Sequence, residues 1–205
     1  MGSAQSGFIL ILSAPSGAGK STLARHLVSQ DPSVRFSIST TTRECRPQET
    51  NGVDYFFVSR SEFEQQRHQG NFIEWAEVFG HCYGTTRQFV EQSIAHGDIV
   101  LLDIDWQGAR QVRAQLPANH VVSVMILPPS YPILRQRLLQ RGRDSLSVVE
   151  QRMAQAEAEA SHWGEYDYVL INNQLERAQQ DLVAVVRSER LRIQRMEHQI
   201  REIVG

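Results

Sequence analysis

Ala14-Pro15-Ser16-Gly17-Ala18-Gly19-Lys20-Ser21-Thr22 contains the only lysine of this 205-residue chain; every other strong cation is arginine. The spacing Ala-x-x-x-x-Gly-Lys-Ser is that of a phosphate-binding loop, with Ala14 where the strictest form has glycine. Gly17 and Gly19 permit backbone conformations that turn successive N–H groups inward on an anion, and a helix starting near Lys20 adds its positive end. A compact ammonium on a flexible stem can follow a phosphate as a point charge, whereas a planar guanidinium is too bulky to curl over a tight loop. A triphosphate is the natural guest: Lys20 bridges its β- and γ-phosphates and the Ser21 hydroxyl ligates Mg²⁺.

Two further groups of residues could act on such a guest. Asp103 ends the apolar run Ile99 to Leu102, and Asp105 stands two residues on, so strand pleating puts both carboxylates on one face at the strand's carboxyl end. Open α/β sheets bind ligands there, which makes Asp103 the candidate for holding the metal or its waters and turns Asp105 toward the same crevice. Ordinary solvated carboxylates at a strand end are the alternative. Ser39-Thr40-Thr41-Thr42-Arg43-Glu44-Cys45-Arg46-Pro47, followed by Asn51-Gly52-Val53-Asp54-Tyr55, sets two guanidinium forks and a phenol where a second phosphate group could be held rigidly.

The elements that must position these residues alternate. Phe8 to Leu12 is a short apolar run of the kind buried on both faces of a sheet, and Ser21 to Gln30 carries Leu23, Leu27 and Val28 on one helical face. Strands at Ile99 to Ile104 and His120 to Leu127 then alternate with helices at Gly108 to Gln115 and Ser130 to Arg141. A capping box at Ser147-Val148-Val149-Glu150 opens a helix to about Ser161, and a strand at Tyr168 to Ile171 and a final helix from Leu175 follow. The pattern is a doubly wound parallel α/β core. Between Ser39 and Arg87 it is interrupted by two short strands, Tyr55 to Val58 and Phe72 to Ala76, around a helix capped by Ser59-Arg60-Ser61-Glu62, which reads as a small inserted α+β region.

Ser-Thr-Thr-Thr-Arg-x-x-Arg-Pro from Ser39, Asn-Gly-x-Asp-Tyr from Asn51, Phe-Ile-Glu-Trp-Ala from Phe72, Tyr-Gly-Thr from Tyr83 and Leu-Asp-Ile-Asp-x-Gln-Gly from Leu102 follow the phosphate loop in order. Together they closely resemble the guanylate kinase family from about Phe8 to Arg190. The resemblance implies a P-loop fold with a GMP-binding insertion at about 39–87 and a helical lid at about 137–152. The remaining core would be 8–38, 88–136 and 153–190, followed by a helical extension at 191–205 of one domain. It implies transfer of a phosphoryl group from ATP to GMP, and to dGMP, with Mg²⁺. Arg43, Arg46, Tyr55 and Tyr83 match the residues around the GMP phosphate, and Ser39, Glu74, Thr85 and Asp105 those around guanine. Arg137, Arg141 and Arg152 match lid arginines that steady the transferring group, with Arg143 close by at a variable position. Asn172 matches a residue near the donor's purine, although Asn173 stands where the family commonly has Asp.

Chemistry supports Glu74 independently, because guanine donates N1–H and N2–H₂ from one edge to a carboxylate that adenine would leave unpaired, a penalty that supports discrimination on the order of 10⁴. Read alone, Tyr55 and Tyr83 are as readily core aromatics as ligands, and the arginines of the lid read as a solvated face. A noncatalytic scaffold domain that grips protein segments, and a kinase of another phosphorylated acceptor, are the competing readings; the intact loop opposes the first and Glu74 the second.

The formal charge of −2 supplies no global field for nucleic acid, no apolar run approaches the length of a bilayer span, and Met1–Gly7 is too short and polar for a signal peptide, so a cytoplasmic protein without nucleic-acid or membrane partners is expected. Cys45 and Cys82 show no metal or disulfide spacing. Leu182, Val186, Ile193, Met196, Ile200 and Ile203 recur at spacings of three and four along the final helix, with Glu189 in the one gap. Such a seam either pairs with another copy in a homo-oligomer or packs on the chain's own core.

Overall fold

The computed structural model describes residues 6–78, 80–140 and 145–205. Strand β1 (Phe8–Ser13) leads through the phosphate loop into helix α1 (Lys20–Gln30) and back to β2 (Val34–Phe36). The chain then builds β3 (Thr40–Thr41), β4 (Phe56–Phe57), α2 (Arg60–His68), β5 (Phe72–Val78) and β6 (His81–Thr86). It returns through α3 (Arg87–His96), β7 (Ile99–Asp103), α4 (Trp106–Gln115), β8 (Val121–Leu127), α5 (Tyr131–Gln140) and α6 (Leu146–Ala160). Finally come β9 (Tyr168–Ile171), α7 (Leu175–Arg190) and α8 (Ile193–Val204).

Five strands form a parallel sheet in the order β2-β7-β1-β8-β9. All six residues of β1 are buried because helices cover both of its faces. Pleating sends Phe8, Leu10 and Leu12 toward Leu23 and Leu27 of α1 and Leu182 and Val186 of α7, and sends Ile9 and Ile11 toward Val90 of α3 and Val112 of α4. Truncating one such leucine to alanine costs about 2–5 kcal/mol. Register then places the chemistry: Leu12 pairs with Asp103, so the carboxylate ending β7 lies level with the entrance to the phosphate loop.

The inserted segment forms a second sheet, β4-β3-β6-β5, in which β5 is an edge strand. The α2 capping box is present, with Glu62 N–H donating to Ser59 Oγ and Ser59 N–H to Glu62 Oε2. Elsewhere the structure corrects the sequence reading. Helix α4 starts at Trp106 rather than Gly108, because Asp105 is its N-cap. The N-cap of α6 is Ser145 rather than Ser147: Glu150, which would complete the box, turns outward to accept from Arg135. The apolar seam is not continuous, since the last helix breaks after Arg190. Its apparent gap, Glu189, is buried and accepts from Tyr168 Oη (2.6 Å) and Arg195 (2.8 Å), while Arg195 also reaches Asn119 O and stacks on the Phe8 ring. Leu182 and Val186 therefore belong to the chain's own core, whereas Ile193, Ile200 and Ile203 are exposed.

Candidate active site

The phosphate loop is shaped by two left-handed glycines, Gly17 (φ 96°) and Gly19 (φ 102°), conformations in which a β-carbon is strained. Neighbours hold that shape. Ser13 Oγ donates to Ile104 O (2.6 Å), tying the loop's entrance to the end of β7, and Asn172 Nδ2 donates to Ala18 O (2.7 Å) from the end of β9. Leu134 and Leu138 of α5 pack against Gly17. The N-cap of α1 is Gly19, which has no side chain to cap the helix with, and the first-turn residues Lys20, Ser21 and Thr22 line the cleft.

Lys20 Nζ lies 2.5 Å from Asp103 Oδ1. Asp105 is committed to the start of α4, where Oδ1 accepts from Gly108 N–H (2.9 Å), yet it still lines the cleft. Glu159 is a cleft residue that the sequence reading missed. It reaches in from α6, where burial pushes its carboxyl up to about 7 against the pull of Lys20, with the charges of Asp105 and Asp103 adding to the rise. The signal was available in helical spacing: Arg152, Gln155 and Glu159 fall on one face. That face lies along the loop, with Arg152 Nη1 donating to Ser16 Oγ (3.1 Å).

The second sheet supplies the opposite wall. Glu74 is 4% exposed and sits at a β-bulge in the pairing of β5 with β6, a device that re-aims a side chain. Burial pushes its carboxyl up to about 7, with Thr85 opposing and the Asp105 carboxylate adding to the rise. Thr85 pairs opposite Glu74, with its hydroxyl buried beside that carboxyl. Tyr55 and Tyr83 meet edge to face with centroids 6.0 Å apart, and the Arg43 guanidinium lies over Tyr55 at 5.3 Å. Glu49, also missed from sequence, accepts from Arg43 Nη2 (2.8 Å) and from Arg46 N–H (3.0 Å), which gathers the arginine turn and holds the Glu49 carboxyl below the usual carboxylate range.

Both walls open into one cleft of about 780 Å³, ample for a small-molecule site. The loop residues Ala14, Pro15, Ser16, Gly17 and Gly19 line it together with Lys20, Ser21, Thr22, Asp103 and Asp105 on one side, and Ser39, Tyr55, Glu74 and Tyr83 on the other. Ala18 is buried in the loop, and Arg43, Arg46, Thr85, Arg137, Arg152 and Asn172 do not line the cleft. Arg137 Nη2 donates to Asn172 O (3.0 Å), and Asn172 is buried with its amide under the loop instead of facing the cleft. Arg141 and Arg143 lie outside the described residues. Among the described residues no cluster of three or more histidine, cysteine or acidic side chains could cage a metal. A hydroxyl and a carboxylate are instead the sparse, hard oxygen donors that suit Mg²⁺ shared with phosphates.

The family model described as Guanylate kinase matches residues 7–189. The guanylate kinase of Alkalilimnicola ehrlichii is 49% identical over 203 residues, covering 97% of this chain and 99% of its own. That of Cereibacter sphaeroides is 49% identical over 189 residues, covering 92% and 90%. The crystal structure of guanylate kinase from Anaplasma phagocytophilum superimposes with a TM-score of 0.75 at 37% identity, covering 92% of this chain and 88% of that one.

Proposed function

The chain belongs to the guanylate kinase family, and from that premise we propose how its cleft carries out the ATP-dependent phosphorylation of GMP to GDP. The observation that carries the reading is the single cleft with a phosphate loop on one wall and the buried carboxyl of Glu74 on the other. The loop N–H groups and Lys20 hold the donor phosphates. Ser39, Glu74, Thr85 and Asp105 hold guanine, and Arg43, Arg46, Tyr55 and Tyr83 the acceptor phosphate, within the GMP-binding insertion at residues 39–87 and at the head of α4. A Mg²⁺ held by Ser21 and, through water, by Asp103 would neutralise charge on the phosphates.

A GMP phosphate oxygen attacks the γ-phosphorus in line. The new O–P bond forms as the bond to the bridging oxygen breaks, and that electron pair leaves on ADP. No general base is required, because the attacking oxygen is already ionised at neutral pH. Lys20, Arg137, Arg141 and Arg152 stabilise the charge spread over the transferring group, with residues 137–152 acting as the lid and residues 153–190 closing the core. Asn172 supports the donor side by holding the loop from beneath. dGMP fits the same contacts, none of which is assigned to the ribose 2′-hydroxyl.

Among the described residues no helix is long and apolar enough to cross a membrane, and the cytoplasm belongs to this reading as the place of action. The exposed Ile193, Ile200 and Ile203 of the extension at 191–205 give a second copy an apolar face to cover in a homo-oligomer. Light scattering of the wild type and of Ile203→Asp tests that part; a monomer at micromolar concentration would end it. A coupled assay with GMP, dGMP and AMP tests the reaction, with ADP release expected from the first two alone.

A further inference from the structure

Helix α4 turns one face to the edge of the inserted sheet, and that face reads Asp105, Gly108, Gln111 and Gln115. The side-chain amide of Gln111 behaves as a strand would: its Oε1 accepts from Trp75 N–H (3.0 Å) while its Nε2 donates to Trp75 O (2.8 Å). A primary amide carries the same donor and acceptor as a peptide unit, so it can occupy the otherwise open edge of β5. One turn on, Gln115 Nε2 donates to Ile73 O (2.6 Å), and Arg87 donates to the Gln115 oxygen. The residues gripped, Ile73 and Trp75, flank Glu74, at the bulge where the pairing with β6 is irregular and the strand's own register does not fix the side chain. The Glu74 carboxylate in turn rests on Gly108, where a β-carbon would stand 2.9 Å from Oε2.

We propose that Gln111, assisted by Gln115, is a positioning residue for guanine selectivity, clamping the backbone on either side of Glu74 so that its carboxylate stands at a fixed distance from Asp105 at the head of the same helix. The proposal rests on the assignment of Glu74 to guanine. The clamp makes α4 a ruler between the two acidic side chains: one is its N-cap, and the other is carried by the strand tied two turns further along. Loss of the clamp lets β5 slip at its bulge, which loosens the acceptor base without touching the phosphate loop.

The test is steady-state kinetics of Gln111→Leu and Gln115→Ala beside Glu74→Gln, with GMP and with IMP, whose base lacks the 2-amino group. Two neutral hydrogen bonds correspond to roughly a tenfold change in binding, so Gln111→Leu should raise KM for GMP about tenfold and narrow the GMP-over-IMP preference by a similar factor. The kcat at saturating GMP and KM for ATP should stay within about twofold, as for an interaction made equally in ground and transition states. Gln115→Ala, which removes one bond to β5 along with the contact from Arg87, should move KM the same way by less, and serves if Gln111→Leu does not fold. A clamp that only stabilised the fold would lower the thermal midpoint and leave KM and the GMP/IMP ratio unchanged, which overturns the proposal. If Glu74→Gln itself leaves the GMP/IMP ratio unchanged, the guanine assignment fails and the clamp's role fails with it; if Glu74→Gln collapses the ratio and neither glutamine variant moves it, the clamp alone is refuted.

Discussion

Lys20 and Asp103 hold each other at 2.5 Å across the mouth of the phosphate loop. Under the proposed function an entering triphosphate would draw Lys20 from this pair to its β- and γ-phosphates, leaving Asp103 to hold Mg²⁺ through water. Removing one preorganised charge of this kind costs about 10²–10³ in rate. Asp103→Asn should lower kcat by that order and raise the Mg²⁺ concentration needed for half-maximal velocity. Lys20→Arg should abolish most turnover although the charge is kept, because the fork does not fit the loop. Near-normal velocity in Lys20→Arg would remove Lys20 from the donor phosphates.

With guanine held by Glu74, as proposed, the reaction should have a pH dependence set by that carboxyl. Its carboxyl titrates at about 7 rather than at the ordinary 4.5, chiefly because it is buried, with Asp105 adding to the rise. Neutral Glu74 is thus favoured in the folded, empty protein: its contribution to stability is full below about 4.5 and is lost as pH rises through about 7. Guanine requires the opposite state, since N1–H and N2–H₂ both donate. KM for GMP should therefore rise as pH falls below about 7, approaching tenfold per pH unit. Glu74→Gln should abolish that component and leave only the one due to the GMP phosphate, which titrates near ~6. A profile in Glu74→Gln identical to that of the wild type would refute the assignment.

Arg152 touches Ser16 Oγ through Nη1, so α6 places a guanidinium against the loop. An arginine that stabilises a transferring phosphoryl group contributes about 10³ or more to kcat. Arg152→Ala should lose on that order in kcat with KM for GMP little changed, whereas Ser16→Ala, which removes only the docking contact, should cost severalfold at most. Equal losses in the two variants would make Arg152 a strut for the loop.

Arg195 and Glu189 form a buried pair, 5% and 1% exposed, that fastens α8 to the core. Removing one member of such a pair leaves an uncompensated charge and costs about 3–5 kcal/mol. Glu189 also holds Arg192 (2.9 Å), so Glu189→Leu, which leaves Arg195 buried without a carboxylate, should lower stability to urea by that amount, and adding Arg195→Leu should recover most of it. Additive losses in the double variant would mean that the surrounding packing, and not the unpaired charge, sets the cost.

Much of this was legible in the sequence, for reasons that can be named. The phosphate loop and β1 could be read because a continuous apolar run, two glycines and a lysine each have one dominant structural use. The second sheet was harder: the strands read at Tyr55 to Val58 and Phe72 to Ala76 hold β4 and most of β5, whereas β3, two residues long, owes its existence to pairing with β4 and β6 further along the chain, which no local pattern encodes. Glu49 and Glu159 escaped because a carboxylate among polar neighbours looks solvated until the fold brings an arginine or a lysine beside it. Glu189 misled in the opposite direction, its charge suggesting a gap in a seam when it is the anchor that ends one helix and docks the next.

The amide of Asn172 beneath Ala18 also bears on when the loop acquires its shape. A β-carbon at Gly19 would collide with that same amide, so loop and strand end fit only as a matched pair. The Asn172 bond to the loop is in place without nucleotide, so part of the loop's conformational entropy is surrendered when the protein folds and not when ATP binds. Loop and strand end should share one opening event in hydrogen exchange, and an Asn172→Ala protein would have to order its loop anew in every catalytic cycle.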